Sequence, residues 1–551
     1  MTWMRGGEMP CRQDLPQPLS PTDTPGLACS FPAGAALRRR IHCPCFGRRT
    51  MATTQAAKNE PGLRRVLGTW DLVLFNIAAI VALRWLSMAA QVGPSSLVLW
   101  LLGLIGFFIP LALAVLELSS RVPGQGGLYL WSKTAFGDMH GFIAGWTYWV
   151  SNLVYFPFAL LFSAGIFLHV GGDRWLAHAG DSGYHLVYCL TVLWAATGLG
   201  IFGLERVKWL QNIGGIATWS AAALILAAGA VATYRLGQAT TITAANVMPD
   251  FGKLATFSTF ATIALAFQGL ELGLILGGEI RDPRRQIPRA TLISCVVIAA
   301  IYIAGTASLL IALPASTIDI IAGIPQALSA IGERIGLPMF GPLTAGLVTI
   351  GTIGSISAWI TGTARLPFVV GVDRYLPAAL GRLHPRYGTP HVALITQGIL
   401  TSLVLTAALS GSSIHEAYII LVDMTAIMSL LPLLYILLAF PLLRHRAAGR
   451  NEGVNLSPGG TLGCWLVGLT GFTVTLLAIV TSMIPPADNS SPGLFLLKVV
   501  GGSVLLIGVG LMFYRRGQQQ AGQVSPNSWP DIPGETADRQ NPACPEQADA
   551  E

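Results

Sequence analysis

Phe257–Ala290 reads FSTFATIALAFQGLELGLILGGEIRDPRRQIPRA, and this stretch decides the fold. It opens as an apolar run of the length needed to cross a bilayer, about 20 residues. Gln268-Gly269-Leu270-Glu271 then sets a helix-weakening glycine and a carboxylate among apolar neighbours. Glu279-Ile280-Arg281-Asp282-Pro283-Arg284-Arg285 closes it with a charged cuff. A carboxylate deep in lipid costs at least ~2.5 kcal/mol on insertion scales, so an apolar span that carries one does more than anchor.

The rest of the chain fits a membrane setting. Of its 551 residues, 52% are hydrophobic and 11% are charged, whereas a soluble domain carries about 25% charge. The sequence predicts an all-α polytopic membrane protein with the lipid bilayer as its surroundings. The net charge of +7 lies mostly in short loops between apolar spans, which argues against nucleic acid as a partner. Cys11, Cys29, Cys43 and Cys45 fall in the first fifty residues, Cys189 and Cys295 in apolar spans, Cys464 at the start of one, and Cys544 in the tail. No spacing among them makes a disulfide framework. His42-Cys43-Pro44-Cys45 lacks the second ligand pair of a zinc site. No metal and no cofactor is expected.

Residues 1–65 are rich in Pro, Arg, Cys and Gly, without helical period or the apolar core of a signal peptide. They read as a disordered extension, with Met51 as a natural start. The domain proper runs over 66–515, and 516–551 read as a disordered tail. Twelve apolar spans are predicted at 71–91, 95–118, 141–169, 185–203, 210–234, 256–278, 290–313, 341–369, 391–410, 415–441, 462–484 and 493–514. Residues 121–136 are too polar and Gly-rich to span, and read as an interfacial segment with aromatic anchors. A short surface helix is expected at 322–335. With the N-terminus inside, the inner loops carry sixteen Lys and Arg and the outer loops only Arg174, Arg235, Lys253 and Arg334. That bias predicts a multi-pass protein of the cytoplasmic membrane with both termini cytoplasmic. Spans one and six are each interrupted by polar groups, five spans apart. Interrupted helices at matching places in two inverted halves point to a site at the membrane midplane.

The candidate site residues follow from these interruptions. In span one, Ala82-Leu83-Arg84 puts a cation thirteen residues in from Asp71. That is roughly 20 Å along a helix, past the middle of the apolar core. Arg84 either snorkels to the outer surface or faces the protein interior. If spans one and six face each other, Arg84 and Glu271 come within reach as a pair that gates a wet cavity or binds a charged group. Gln268, Gly269 and Leu270 are read either as helix packing or as an unwound, substrate-facing break whose backbone groups hold a small molecule. In span three, Trp149, Asn152 and Tyr155 broadly share a face and are candidates to line the cavity. Span eight is hydroxyl-rich around Ser355, with Gly351, Gly354 and Gly362; close packing is the alternative. Asp423, in span ten, is a candidate for proton coupling or a structural hydrogen bond. Arg84, Glu271, Asp423 and Tyr155 are the coupling or gating candidates.

No enzyme signature is present: there is no phosphate-binding glycine loop and no His-Glu-x-x-His pair. Three motifs instead resemble the amino acid–polyamine–organocation superfamily of permeases. They are Phe267-Gln268-Gly269-Leu270-Glu271 with the exit from Glu279 to Ala290, Glu117-Leu118-Ser119-Ser120-Arg121-Val122-Pro123-Gly124 after span two, and Ala364-Arg365-Leu366 through Asp373-Arg374-Tyr375-Leu376-Pro377 after span eight. The resemblance implies twelve transmembrane helices, with a five-plus-five inverted repeat of leucine-transporter type and broken helices 1 and 6. It also implies alternating access around a site between spans one, three, six, eight and ten. Transport would be proton-coupled or would exchange one substrate for a counter-substrate. The chain departs from the family in span one, where Ile80-Val81-Ala82-Leu83-Arg84-Trp85-Leu86 replaces the usual glycine-rich break and is similar to the glutamate/γ-aminobutyrate exchanger branch. Span five has no Lys to mimic a cation. The expected function is secondary transport of amino acids or related amines; the alternative is a non-transporting sensor on the same scaffold.

Overall fold

The computed structural model describes residues 68–122, 127–271, 283–367, 375–410, 413–446, 456–457, 459–485 and 491–523. The extension over 1–65 with its Cys43-x-Cys45 pair, the charged exit over 279–282 and the tail beyond Gln523 lie outside the described residues.

The described residues are helical, with short turns and no strand. In lipid, a backbone must satisfy its own polar groups, and a helix does so within one segment. The chain begins with α1 (Thr69–Ile80), α2 (Arg84–Ala90), α3 (Ser96–Arg121), α4 (Leu128–Phe136) and α5 (Asp138–Leu168). It continues through α6 (Ser182–Ile201), α7 (Arg206–Leu236), α8 (Leu254–Ala266), α9 (Arg285–Ala312) and α10 (Gly323–Arg334). It ends with α11 (Phe340–Pro367), α12 (His391–Leu409), α13 (Ile414–Arg446), α14 (Gly460–Thr481) and α15 (Pro492–Gln519). Ten of these are long and apolar enough to cross a membrane. Each falls on one of the twelve expected spans. The two that remain are the first and the sixth, and both are interrupted.

The interruptions are explicit. α1 stops at Ile80 and α2 starts at Arg84. α8 stops at Ala266, and helix resumes at Leu270-Glu271. The middle of the bundle is α5, whose apolar window is 83% buried within the protein, against 22% for α15. α5 packs against α13, α4 and α11, and α9 packs against α1 and α7. Phe142, Tyr148, Phe156, Phe158 and Phe162 of α5 are almost wholly enclosed.

Two segments differ from or refine the expectation. The polar stretch after α3 does not span, but its aromatic rings are not interfacial anchors. Tyr129 and Trp131 are each 2% exposed, and the Trp131 indole donates to the Val122 carbonyl at 3.1 Å. The rings turn inward because α4 lies against α5 and α13, which bury more ring surface than an interface does. The helix that begins in α15 also runs on to Gln523, past residue 516, where the tail is expected to begin.

Buried charges at the end of α3 are mutually satisfied. Glu117 takes the Arg121 guanidinium at 2.8 Å on one oxygen. Its other oxygen takes Arg444 of α13 and the Leu456 N–H, each at 3.3 Å. A buried carboxylate survives with partners of this kind.

Candidate functional site

A continuous helix would pair the Ile80 carbonyl with Arg84 N–H, Ala82 N–H with the Ala78 carbonyl, and the Ala266 carbonyl with Leu270 N–H. The two interruptions release all three groups, and one hydroxyl collects them. Tyr302 Oη of α9 lies 2.7 Å from the Ile80 oxygen and 3.1 Å from the Ala266 oxygen, and accepts from Ala82 N–H at 3.3 Å. The Tyr302 ring is clamped by Trp100, stacked at 4.4 Å, and by Phe267, edge-on at 5.7 Å. Nothing in the sequence marks Tyr302 for this role, because one tyrosine in an apolar span reads as core.

The sixth-span break also carries a hydrogen bond within its own turn. Gly269 has φ +129°, a conformation side-chain-bearing residues rarely adopt, so the glycine is required there. Its N–H donates to Glu271 Oε2 at 3.1 Å, and Tyr148 Oη donates to Glu271 Oε1 at 2.9 Å. Glu271, 2% exposed, is thus held by its own turn and by α5. The expected Arg84–Glu271 pair is not formed. Each residue takes a different tyrosine of α5, Tyr155 for Arg84 and Tyr148 for Glu271. The two tyrosines are seven residues apart, about 10 Å along a helix, and the charges are parted by that spacing.

Arg84 is 2% exposed, so it faces the interior and does not snorkel. Its carbon centre lies 5.0 Å from the Trp85 ring, 5.0 Å from Tyr155 and 4.9 Å from Phe158. Nη2 donates to Tyr155 Oη, and Nε has no hydrogen-bond partner. No carboxylate among the described residues pairs with it.

Beside this cage is a cavity of about 30 Å³, lined by residues that include Ile80, Arg84, Asn152, Tyr155, Gln268 and Ser429. Trp359 of α11 and Thr425 of α13 also reach it. Its walls come from both breaks and from α5, α11 and α13, the third, eighth and tenth spans. The volume suits about two water molecules, not an amino acid. Gln268 Nε2 donates to the Ser429 carbonyl at 3.3 Å, while the buried Ser429 hydroxyl has no partner. Asn152 is anchored by donating to the Tyr148 carbonyl at 2.7 Å.

The other sequence candidates lie off the cavity wall. Ala82, Leu83, Gly269 and Leu270 form the breaks themselves. Trp149 turns away: its indole donates to Gln397 of α12 at 3.1 Å, bracing three helices. Ser355 is half-buried and does not line the cavity. Its neighbours Thr352, Ser357 and Thr361 hydrogen-bond back to their own helix. The glycines there serve packing: a Cβ on Gly354 would meet Gly214 Cα of α7 at 2.7 Å. Asp423, 8% exposed, also sits outside the lining and bonds to no described side chain. Among the described residues, no three His, Cys, Asp or Glu gather where a metal ion could sit.

An apolar helical bundle with a polar cavity walled by two interrupted helices defines a multi-pass membrane protein. The chain belongs to the amino acid permease family, whose model matches residues 67–507. It is 28% identical over 461 residues to an uncharacterized transporter of Legionella pneumophila, covering 83% of this chain and 98% of that one. It is 24% identical over 398 residues to a glutamate/gamma-aminobutyrate antiporter of Lactococcus lactis, covering 70% and 78%. It is 23% identical over 370 residues to the branched-chain amino acid permease of Bacillus subtilis, covering 63% and 76%.

Proposed function

We propose that the protein is a secondary transporter that carries amino acids or related amines across the cytoplasmic membrane by alternating access. The carrying observation is the cavity at the meeting of the two breaks, with Arg84 and Ser429 each holding a buried polar atom in reserve beside it. Family membership and the transporter relatives support the same reading. The two interrupted segments then complete twelve crossings in a five-plus-five inverted arrangement, with both termini cytoplasmic. At its present size the cavity admits no amino acid, so the walls part for substrate to enter. Tyr155 and Trp359 stand at that wall and are the gating side chains. Glu271 and Asp423 are the carboxylates available to a proton, and exchange against a counter-substrate is the other way to drive the cycle.

The test is counterflow in proteoliposomes loaded with each amino acid and amine in turn. Accumulation of at least one labelled compound, dependent on internal unlabelled compound, is expected. Binding without flux for every compound would replace this reading with the sensor.

A further inference from the structure

A guanidinium offers a carboxylate two parallel N–H groups, and one such pair is the side-on edge formed by Nε and Nη2. In Arg84 one nitrogen of that edge is engaged and the other is not. Nη2 donates to Tyr155 Oη, Nε donates to nothing, and Arg84 is 2% exposed. A buried donor without a partner is expensive, and more so when it is charged. Three aromatic faces at 4.9–5.0 Å surround the cation. They temper its charge without supplying an acceptor in the plane of the fork. The cavity wall includes Ser151, Asn152, Gln268, Thr425 and Ser429 but no Asp or Glu.

We infer that the Nε–Nη2 edge of Arg84 is the binding site for a substrate carboxylate, and that the Tyr155 hydroxyl is a latch the carboxylate displaces. The inference rests on the transporter reading for its physiological meaning, but the binding step stands without flux. When the substrate arrives, its two oxygens take Nε–H and Nη2–H, and Tyr155 Oη leaves Nη2. The Tyr155 ring lies 5.5 Å from Trp359, so its release moves a wall shared with α11 and enlarges the cavity. Recognition is through a side chain, and the glycine-free Val81-Ala82-Leu83 break fits that, since Ala82 N–H is already committed to Tyr302. The ligand class is a compound with at least one carboxylate. Diamines are rejected, because they would place a second cation beside an unneutralised one.

The experiment measures binding by ligand-induced thermal stabilisation and by counterflow, with glutamate, leucine and putrescine as probes. Wild type is compared with Arg84→Lys and Tyr155→Phe. Lys presents a point charge and no fork, so affinity for the binding amino acid should fall about 10- to 100-fold. Tyr155→Phe removes the competing hydroxyl, so the same affinity should rise about 2- to 10-fold. Putrescine should stabilise none of the three. Weaker binding in Tyr155→Phe would make Tyr155 a mere brace for Arg84 and overturn the latch. Putrescine binding, unchanged affinity in Arg84→Lys, or no stabilisation by either amino acid would overturn the carboxylate site. Amino acid binding with the expected order of affinities but no counterflow would uphold the site and defeat the transporter reading alone.

Discussion

The two helix breaks solve the same geometric problem by opposite means. The sixth-span break uses a glycine at φ +129° and closes on its own carboxylate, Glu271, which Tyr148 completes. The first-span break has no glycine, takes two of the three contacts of the α9 hydroxyl that both breaks share, and leaves Arg84 with an unpaired buried N–H. The carboxylate of one break is satisfied within the protein, and the guanidinium of the other keeps an unpaired N–H. A buried charge that is satisfied supports structure, and one that is not satisfied invites a ligand.

The sharpest way to break this contrast is Arg84→Ala. It should cut substrate-dependent counterflow by at least about 100-fold, because two charge-assisted hydrogen bonds vanish together. Wild-type flux would make Arg84 a structural cation and dissolve the distinction. Next is Tyr302→Phe, which strands an N–H and two carbonyls in the core. A stability loss of about 2–3 kcal/mol is expected, read as a lowered unfolding temperature in detergent. No change there would mean that the breaks do not depend on α9. Gly269→Ala forces a side chain into the positive-φ turn and should cost about 1–2 kcal/mol. The same thermal scan reads it, and a neutral outcome would show that the sixth-span turn is not fixed by its glycine. Ser355→Ala should change both stability and counterflow least, within about 0.5 kcal/mol, since its side chain does not line the cavity. A large loss of flux would move the site along α11.

The positions of the breaks are legible in the sequence because a polar interruption is costly in an apolar run unless the helix opens there. The azimuth of each side chain is not. α5 is buried nearly all round, so no apolar stripe says which face meets the cavity. Trp149 and Asn152 are three residues apart and share a face by spacing, yet Asn152 lines the cavity while Trp149 reaches α12. The Arg84–Glu271 pairing fails for a related reason. Opposite charges in facing helices suggest a partner, but each charge is taken by its own tyrosine of α5, and nothing in a sequence marks which tyrosine meets which charge. Trp359, Thr425 and Ser429 carry no mark in the sequence either, because aromatic and hydroxyl residues are ordinary in helix packing.

The crossing of α7 and α11 at Gly214 and Gly354 brings backbone onto backbone, with no side chain interleaved. Trp359 lies five residues beyond Gly354, about 7.5 Å further along the same helix, on the cavity wall. A methyl added at the crossing acts as a shim that must part α7 from α11, and Trp359 rides on the second of them. A graded series at Gly354, from Ala to Ser to Val, would therefore work as a ruler, converting side-chain width at a remote joint into displacement at the cavity wall.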